Sequence, residues 1–197
     1  MAKTVEFFFD FGSPTSYLAY TQLPAIAADC GAEIAWRPML LGGVFKATGN
    51  ASPVTVPAKG RWMFTDITRW AQRYGVPYAH NPHFPINTLT LMRAATGLLA
   101  EQPGQFGRYL AAVFGAMWQQ QRNLGDPQIL AETLAQAGFD AQAVLALAAR
   151  ADVRALLIAV TDEAVARGVF GAPSFFVGDH LFFGQDRLDF VRDALMQ

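Results

Sequence analysis

Ser13 and Ser16 lie where an apolar segment meets a Gly-Ser-Pro turn, in the stretch "FFFDFGSPTSYLAY". A Cys-x-x-Cys pair at such a junction would support thiol–disulfide exchange, with its first cysteine at a helix N-terminus. Here the four residues are Ser13-Pro14-Thr15-Ser16, so both sulfurs are missing. A helix N-terminus attracts an anion such as a thiolate, and a hydroxyl there can donate one more hydrogen bond. Ser13 is therefore a candidate either for helix capping alone or for holding a thiolate.

A proline opens the last apolar stretch of the chain, "GVFGAPSFFVG". Because Pro173 has no backbone N–H to donate, it is expected at the start of a strand. Two interpretations are open: a trans proline that begins an edge strand, or a cis Ala172–Pro173 bond that faces the turn at Ser13. We predict the cis bond.

Further polar side chains could bind a small ligand. Gln185 and Asp186 are expected at the N-terminus of the last helix, where they either cap it or bind the ammonium and carboxylate of a small peptide. His80 and His83 are too loosely spaced, and have too few partners, to predict a metal site. Four more polar residues lie in or beside a long predicted loop, where solvated side chains are the default interpretation: Asn50, Lys59, Arg61 and Asp66.

The elements around these residues begin with a β-α-β pattern. A strand is predicted over residues 5–11, where three consecutive phenylalanines suit burial on both faces. A helix from Pro14 to about Asp29 follows, in which Pro24 should introduce a kink or a break. The next strand is predicted over residues 32–39. Because a helix connects the two strands, they should be parallel.

A loop and a block of helices separate this unit from the C-terminal part. Residues 42–60 are rich in Gly, Pro and Ser, which predicts a long loop. Apolar periodicity and capping signals then predict helices over residues 61–74, 87–99, 105–120, 127–137, 140–150 and 152–167. Two short strands around Gly178-Asp179 and a helix over residues 187–196 complete the chain.

The order of these elements predicts the fold class. Without the helical block the order is β-α-β followed by β-β-α, which fits an α/β protein with a thioredoxin-like fold and a large all-helical insertion after the second strand. We predict a thioredoxin-like domain over residues 1–41 and 161–197, and a helical insertion domain over residues 42–160.

Composition and charge limit the classes of partner. Hydrophobic residues make up 52% of the chain and charged ones 16%, which allows a substantial core. The formal net charge of -1 gives no electrostatic reason to expect nucleic acid or an anionic membrane. No apolar run approaches the roughly 20 residues of a membrane span, and no signal-peptide pattern opens the chain. The single cysteine, Cys30, excludes an internal disulfide and favours a reducing cytoplasm.

Four segments of the chain together resemble the 2-hydroxychromene-2-carboxylate isomerases, which are relatives of the kappa-class glutathione transferases and of DsbA-like proteins. The segments are "FDFGSPTSYLA", "ATGN", "PAKGRWMFTDITRWAQRYGVP" and "GVFGAPSFFVGDHLFFGQDRL". With the helical block, the resemblance covers essentially the whole length. It implies a glutathione-dependent cis–trans isomerase that converts 2-hydroxychromene-2-carboxylate to trans-o-hydroxybenzylidenepyruvate in aromatic-compound catabolism. Glutathione would be the source of the missing sulfur.

The resemblance also implies roles for residues near both ends of the chain. Ser13 would hold the glutathione sulfur, and it is the expected catalytic residue. The backbone of Ala172, next to Pro173, would pair with the cysteinyl amide of glutathione. Gln185 and Asp186 would hold the γ-glutamyl end.

For the middle of the chain, the resemblance implies contacts to glutathione and to the substrate. Asn50 and Lys59 would line the rest of the peptide or the substrate side. Asp66 would reach the site of the second subunit in a homodimer, to which the helical block would contribute much of the contact. The candidate cations for the substrate carboxylate are Lys46, Lys59 and Arg61, by their position in the sequence.

Two other functions are open at this stage. One is a kappa-type glutathione transferase or peroxidase that acts on other electrophiles. The other is a non-catalytic DsbA-like binding protein whose redox site has lost its cysteines. Activity on a generic electrophile without activity on the chromene would favour the first, and a lack of glutathione binding would favour the second.

Overall fold

A computed structural model describes residues 3–197 of the chain, and its strands form a four-stranded sheet. The strands, in the order β2-β1-β3-β4 across the sheet, are β1 (Lys3–Phe9), β2 (Ala32–Pro38), β3 (Ser174–Val177) and β4 (His180–Phe183). β1 and β2 are parallel, whereas β3 is antiparallel to both β1 and β4. The predicted parallel pairing of the first two strands is confirmed, and the mixed sheet is that of a thioredoxin-like fold.

The helices lie mainly between β2 and β3. They are α1 (Pro14–Asp29), α2 (Leu41–Thr48), α3 (Pro57–Tyr74), α4 (Leu89–Glu101), α5 (Pro103–Trp118), α6 (Pro127–Gln136), α7 (Ala141–Ala149), α8 (Ala151–Ala166) and α9 (Leu188–Met196), with short 3-10 helices at Pro53–Thr55 and Gln185–Arg187. The predicted helical insertion after the second strand is confirmed. The predicted domain boundary at residues 160 and 161 falls inside α8, and the division into two domains stays a prediction.

Residues 42–60 form two helical segments and part of a third, so the prediction of a long loop is wrong. Glycines in a helix interior cost about 1 kcal/mol each relative to alanine, which is why "LGGVFKAT" did not predict a helix. Tertiary contacts outweigh that cost. A Cβ on Gly43 would lie 3.1 Å from Cγ2 of Thr161 on α8, so α2 can approach α8 closely because glycine stands there. The Leu41 N–H donates to Oδ2 of Asp10, and Gly49, with a φ of 71°, directly follows the last residue of α2.

Several other predicted boundaries and one predicted break differ from the structure. β1 ends at Phe9 because the chain turns at Asp10, whose Oδ1 accepts a hydrogen bond from the Gly12 N–H at 2.8 Å. α3 begins at Pro57, four residues before the predicted start. α1 is continuous through Pro24, so the predicted break does not occur. The buried face of α1 on both sides of Pro24 packs in the core and offsets the missing backbone hydrogen bond.

An aromatic cluster joins the sheet, α1 and the insertion. Phe114 of α5 is fully buried, and its ring centroid lies 4.7 Å from that of Phe11 and 4.9 Å from that of Tyr20. Phe9 and Tyr17 each lie 6.0 Å from the same ring. The insertion therefore shares one hydrophobic core with the strand and helix that flank Ser13.

Neither a membrane-spanning helix nor a metal cluster occurs in the described part of the chain. Within residues 3–197, no helix is long and apolar enough to cross a membrane. Over the same range, no three His, Cys, Asp or Glu side chains are grouped so that they could hold a metal ion. The cytoplasmic location stays a prediction.

Candidate active site

Ser13 caps α1 and also contacts the segment before β3. Its Oγ accepts a hydrogen bond from the Ser16 N–H at 3.0 Å, as an N-cap side chain does. The same hydroxyl donates to the carbonyl oxygen of Ala172 at 3.0 Å. Thr15 Oγ1 lies 3.2 Å from that oxygen and 2.9 Å from the Ser13 Oγ. Two hydroxyls at the N-terminus of α1 thus converge on one carbonyl group.

The Ala172–Pro173 bond is cis, as predicted from the sequence. Ser174 begins β3 directly after it, and the Pro173 carbonyl accepts a hydrogen bond from the Gly184 N–H at 3.0 Å. The Ser13 turn and the residue before Pro173 are in contact although 159 positions separate them in the chain. The sheet produces this contact, because β1 leads into the turn and pairs with β3.

Asn50 lies beside the same segment. Its Nδ2 donates to the carbonyl oxygen of Phe170 at 2.8 Å, and its Oδ1 accepts from the Ala51 N–H at 2.8 Å. The Phe170 ring packs on the ring of Phe183, with a centroid distance of 4.5 Å, and both rings are more than two-fifths exposed (41% and 42%). The chain that follows α2 is therefore held two residues from Ala172, next to an exposed aromatic pair.

Four charged candidates lie on α2 and α3, so Lys46 and Lys59 are in helices instead of in the predicted loop. Lys46 is in the last turn of α2, and Lys59 and Arg61 are near the start of α3. Asp66 is half-buried in the middle of α3, and the spacing of seven places it on the same face as Lys59, whereas Arg61 lies on a different face. Among residues 3–197, none of these four side chains forms an ion pair or a hydrogen bond with another residue. Within the described residues, none of them forms a hydrogen bond with Ser13.

Gln185 and Asp186 line a cavity of about 210 Å³ beside α1 and α3. The Tyr74 hydroxyl donates to the Gln185 carbonyl at 3.0 Å. Burial, together with the charges of Asp186 and Asp189, raises the pKa of Tyr74 to about 12, so this hydroxyl stays protonated at neutral pH. Asp186 pairs with Arg187 at 2.5 Å. The walls of the cavity carry both signs of charge, contributed by Arg73, Asp186, Asp189 and Arg192.

Known proteins resemble this chain in sequence and in fold. The DSBA-like thioredoxin domain family matches residues 4–196. A solved structure of a 2-hydroxychromene-2-carboxylate isomerase superposes with a TM-score of 0.85 at 29% identity and covers 98% of this chain and 94% of its own. The 2-hydroxychromene-2-carboxylate isomerase of Sphingobium xenophagum is 33% identical over the full length of both chains. The chain belongs to the 2-hydroxychromene-2-carboxylate isomerase family of DSBA-like thioredoxin domains.

The kappa-class glutathione transferases are more distant relatives of this chain. Glutathione S-transferase kappa 1 of Homo sapiens is 26% identical, and the match covers 99% of this chain and 92% of the transferase. The resemblance inferred from the four sequence segments is thus confirmed at the level of family and fold. The roles of single residues in the isomerase site stay predictions.

The structure also shows polar residues at this isomerase-family site that sequence reasoning missed. Thr15 shares the Ala172 carbonyl with Ser13, and Tyr74 fixes the backbone at Gln185. Asp10 is 1% exposed at the end of β1. Burial raises the pKa of Asp10, although hydrogen bonds from Gly12, Leu41 and Thr88 act in the opposite direction. A signal was present: an acidic residue inside "FFFDFG" is not buried in a folded protein without hydrogen-bonding partners.

Proposed function

We propose that the chain is a glutathione-dependent isomerase that converts 2-hydroxychromene-2-carboxylate to trans-o-hydroxybenzylidenepyruvate. The observation that carries the proposal is the Ser13 hydroxyl, which lies at a helix N-terminus against the carbonyl before Pro173, at a site with no cysteine. A thiolate is the anion that such a site suits. The isomerase relatives support the reaction, and the kappa-class transferases support glutathione as the source of sulfur.

The residues present at the site fit glutathione. Ser13 would hold the sulfur, and the Ala172 backbone next to Pro173 would pair with the cysteinyl amide. Gln185 and Asp186 would hold the γ-glutamyl end, because the cavity beside them carries both signs of charge and the γ-glutamyl group carries an ammonium and a carboxylate. Asn50 and Lys59 would line the remainder of the peptide or the substrate side.

The chain's own residues would orient and stabilise the reacting groups. When bound, glutathione supplies a sulfur nucleophile that can add reversibly to the conjugated double bond of the ring-opened keto acid form of the substrate, which permits rotation before the sulfur leaves and the double bond re-forms. The Ser13 hydroxyl would donate to the sulfur while Thr15 keeps the hydrogen bond to the Ala172 carbonyl. The substrate carboxylate needs a cation, and the candidates are Lys46, Lys59 and Arg61, which are exposed and form no ion pair within residues 3–197.

Calorimetry and an isomerisation assay test this proposal. We expect glutathione to bind and isomerisation to require it, whereas S-methylglutathione should bind without supporting the reaction, because its sulfur cannot ionise. Isomerisation at the same rate without any thiol would contradict the proposal. Activity on a generic electrophilic acceptor with none on the chromene would favour a transferase instead.

A subunit-mixing experiment tests whether the chain is a homodimer in which Asp66 acts across the interface. The Asp66→Ala and Ser13→Ala variants should each be slow. After unfolding and joint refolding in equal amounts, the mixture should recover about one quarter of the wild-type rate. Half of the dimers would then be mixed, and each mixed dimer would have one site with both residues intact.

The control for the mixing experiment is Ser13→Ala refolded with the double variant Ser13→Ala/Asp66→Ala, which should recover no activity. If Asp66 serves its own subunit, the first mixture will not recover either. Light scattering that shows only monomer at micromolar concentration would contradict both the homodimer and the cross-subunit role.

A further inference from the structure

Asp10 is a buried carboxyl group that the proposed chemistry does not use. Its side chain is 1% exposed and accepts three hydrogen bonds. Oδ1 accepts from the Gly12 N–H at 2.8 Å and from the Thr88 hydroxyl at 2.7 Å, and Oδ2 accepts from the Leu41 N–H at 2.8 Å. All three distances lie within the range of well-formed hydrogen bonds.

The three donors belong to three different segments of the fold. Gly12 is in the turn that precedes Ser13, Leu41 is the first residue of α2, and Thr88 directly precedes α4. The backbone carbonyl of Asp10 also accepts a hydrogen bond from the Ser13 N–H at 3.0 Å. Asp10 therefore ties the Ser13 turn to two helices of the insertion through both its side chain and its backbone.

The turn is packed closely against the same partners. A Cβ on Gly12 would lie 3.2 Å from Cγ2 of Thr88 and 3.3 Å from Oδ1 of Asp10. The position of the Ser13 hydroxyl follows from the backbone of this turn, since Ser13 caps α1 with a fixed side-chain hydrogen bond. A shift of the turn would move the hydroxyl relative to the Ala172 carbonyl.

We propose that Asp10 is a positioning residue for the sulfur site, which holds the Ser13 hydroxyl in place by tying its turn to the starts of α2 and α4. The inference rests on the proposed glutathione-dependent function. Asp10 acts through the turn and not on the reacting atoms, because its carboxylate oxygens are already engaged by Gly12, Leu41 and Thr88. Reactions that depend on aligned groups are sensitive to displacements of an ångström or less.

Two variants weaken the side-chain hydrogen bonds of Asp10, which anchor the Ser13 turn, in different ways. Asp10→Asn keeps one oxygen but directs an amide NH2 group at a neighbouring donor, so at least one of the three hydrogen bonds is lost. Thr88→Val keeps the carboxylate and both bonds from backbone N–H groups, and removes only the link to α4. The matched control is Thr161→Val, because Thr161 Oγ1 accepts from the Leu40 N–H at 3.0 Å and anchors the same end of α2 without touching the Ser13 turn.

Kinetics and thiolate titration distinguish an effect of Asp10 on the position of the Ser13 hydroxyl from an effect on the stability of the fold. For Asp10→Asn we expect kcat to fall by on the order of 10–100-fold with the dissociation constant of glutathione changed less than about threefold, and the pKa of the bound thiol to rise by roughly one unit. Thr88→Val should show the same pattern with a smaller loss. Thr161→Val should lower the melting temperature while leaving kcat and the thiol pKa unchanged.

Amide hydrogen exchange of the glutathione-free protein provides a readout that needs no ligand. In Asp10→Asn the Gly12 and Ser13 amides should exchange at least about tenfold faster than in the wild type, because the turn opens more often. If wild type binds no glutathione, the proposed function fails, yet faster exchange would still support the anchoring of the turn by Asp10. Unchanged exchange, or variants that lose only thermal stability as Thr161→Val does, would overturn the inference.

Discussion

Replacing Ser13 by alanine is expected to raise the pKa of the thiol of bound glutathione by roughly one to two units. It should also slow isomerisation near neutral pH on the order of 10–100-fold. The variant should still fold and bind glutathione, because the peptide contacts proposed at Ala172, Gln185 and Asp186 are untouched. Thiolate absorbance measured against pH gives the pKa, and steady-state kinetics give the rate.

The expected size of the shift in the thiol pKa follows from the free energy needed to ionise the thiol. A free thiol with a pKa near 8.5 is only a few per cent thiolate at pH 7, so the site must lower that pKa by about two units, or roughly 2.7 kcal/mol. The N-terminus of α1 contributes about 0.3–1 kcal/mol, and one hydrogen bond to a charged acceptor about 1.5–3 kcal/mol. The Ser13 hydroxyl therefore supplies the larger share. Because the alanine variant raises the thiol pKa, its defect should shrink as pH rises through the new value.

Ser13→Ala also removes a helix cap, which requires a control. The lost hydrogen bond from the Ser16 N–H should cost about 0.5–2 kcal/mol of stability. Asp140→Ala removes a comparable cap, since Asp140 accepts from the Ala143 N–H at 3.1 Å at the start of α7, and it should leave the reaction unaffected. Thr15→Val should have less than about a threefold effect on the rate. A larger loss in Thr15→Val than in Ser13→Ala would assign the sulfur to Thr15.

Replacing Phe114 by alanine is expected to lower the free energy of unfolding by about 3–5 kcal/mol. The ring is fully buried, and it packs against Phe11, Tyr17 and Tyr20, so its removal leaves a cavity between the insertion and the β1–α1 unit. A loss of this size is a large part of the roughly 5–15 kcal/mol that stabilises a typical domain. Urea unfolding followed by circular dichroism measures it.

The control for Phe114 is the same change at an exposed phenylalanine. Phe190 on α9 is 57% exposed, and Phe190→Ala should change the unfolding free energy by less than about 1 kcal/mol. Because Phe114 joins the insertion to the sheet, unfolding of the wild type should be a single transition. A loss below about 1 kcal/mol in Phe114→Ala, or two separate transitions in the wild type, would show that the two parts do not share the core.

The sequence carried the information for those features that depend on neighbouring residues. Ser13-Pro14 predicted a capped helix start, and the cap is formed within three residues. The β-α-β opening and the parallel strands followed from apolar patterning and from the length of the connection. The proline before an apolar strand predicted the start of β3. Each of these signals is local, because capping, turns and side-chain periodicity act over a few positions.

Several features formed by contacts between distant segments were not predicted from the sequence. The two glycines of α2 argued against a helix, and only the close approach of Gly43 to Thr161 shows why glycine is suited at position 43. Asp10 gave no indication of its partners, which lie 31 and 78 positions away at Leu41 and Thr88. Phe114 lies in a predicted helix, but its position in the sequence did not indicate that it links two parts of the chain.

In the candidate site, too, some features follow from the sequence and others only from the tertiary structure. Residue types made Ser13 and Pro173 candidates, and the resemblance to the isomerase family gave them their expected roles in the site. The alignment of the Ser13 hydroxyl with the Ala172 carbonyl depends on the pairing of β1 with β3 and on the anchor at Asp10. Sequence spacing specifies hydrogen bonds and packing only over a few residues along the chain, whereas contacts between segments far apart depend on how the whole core packs.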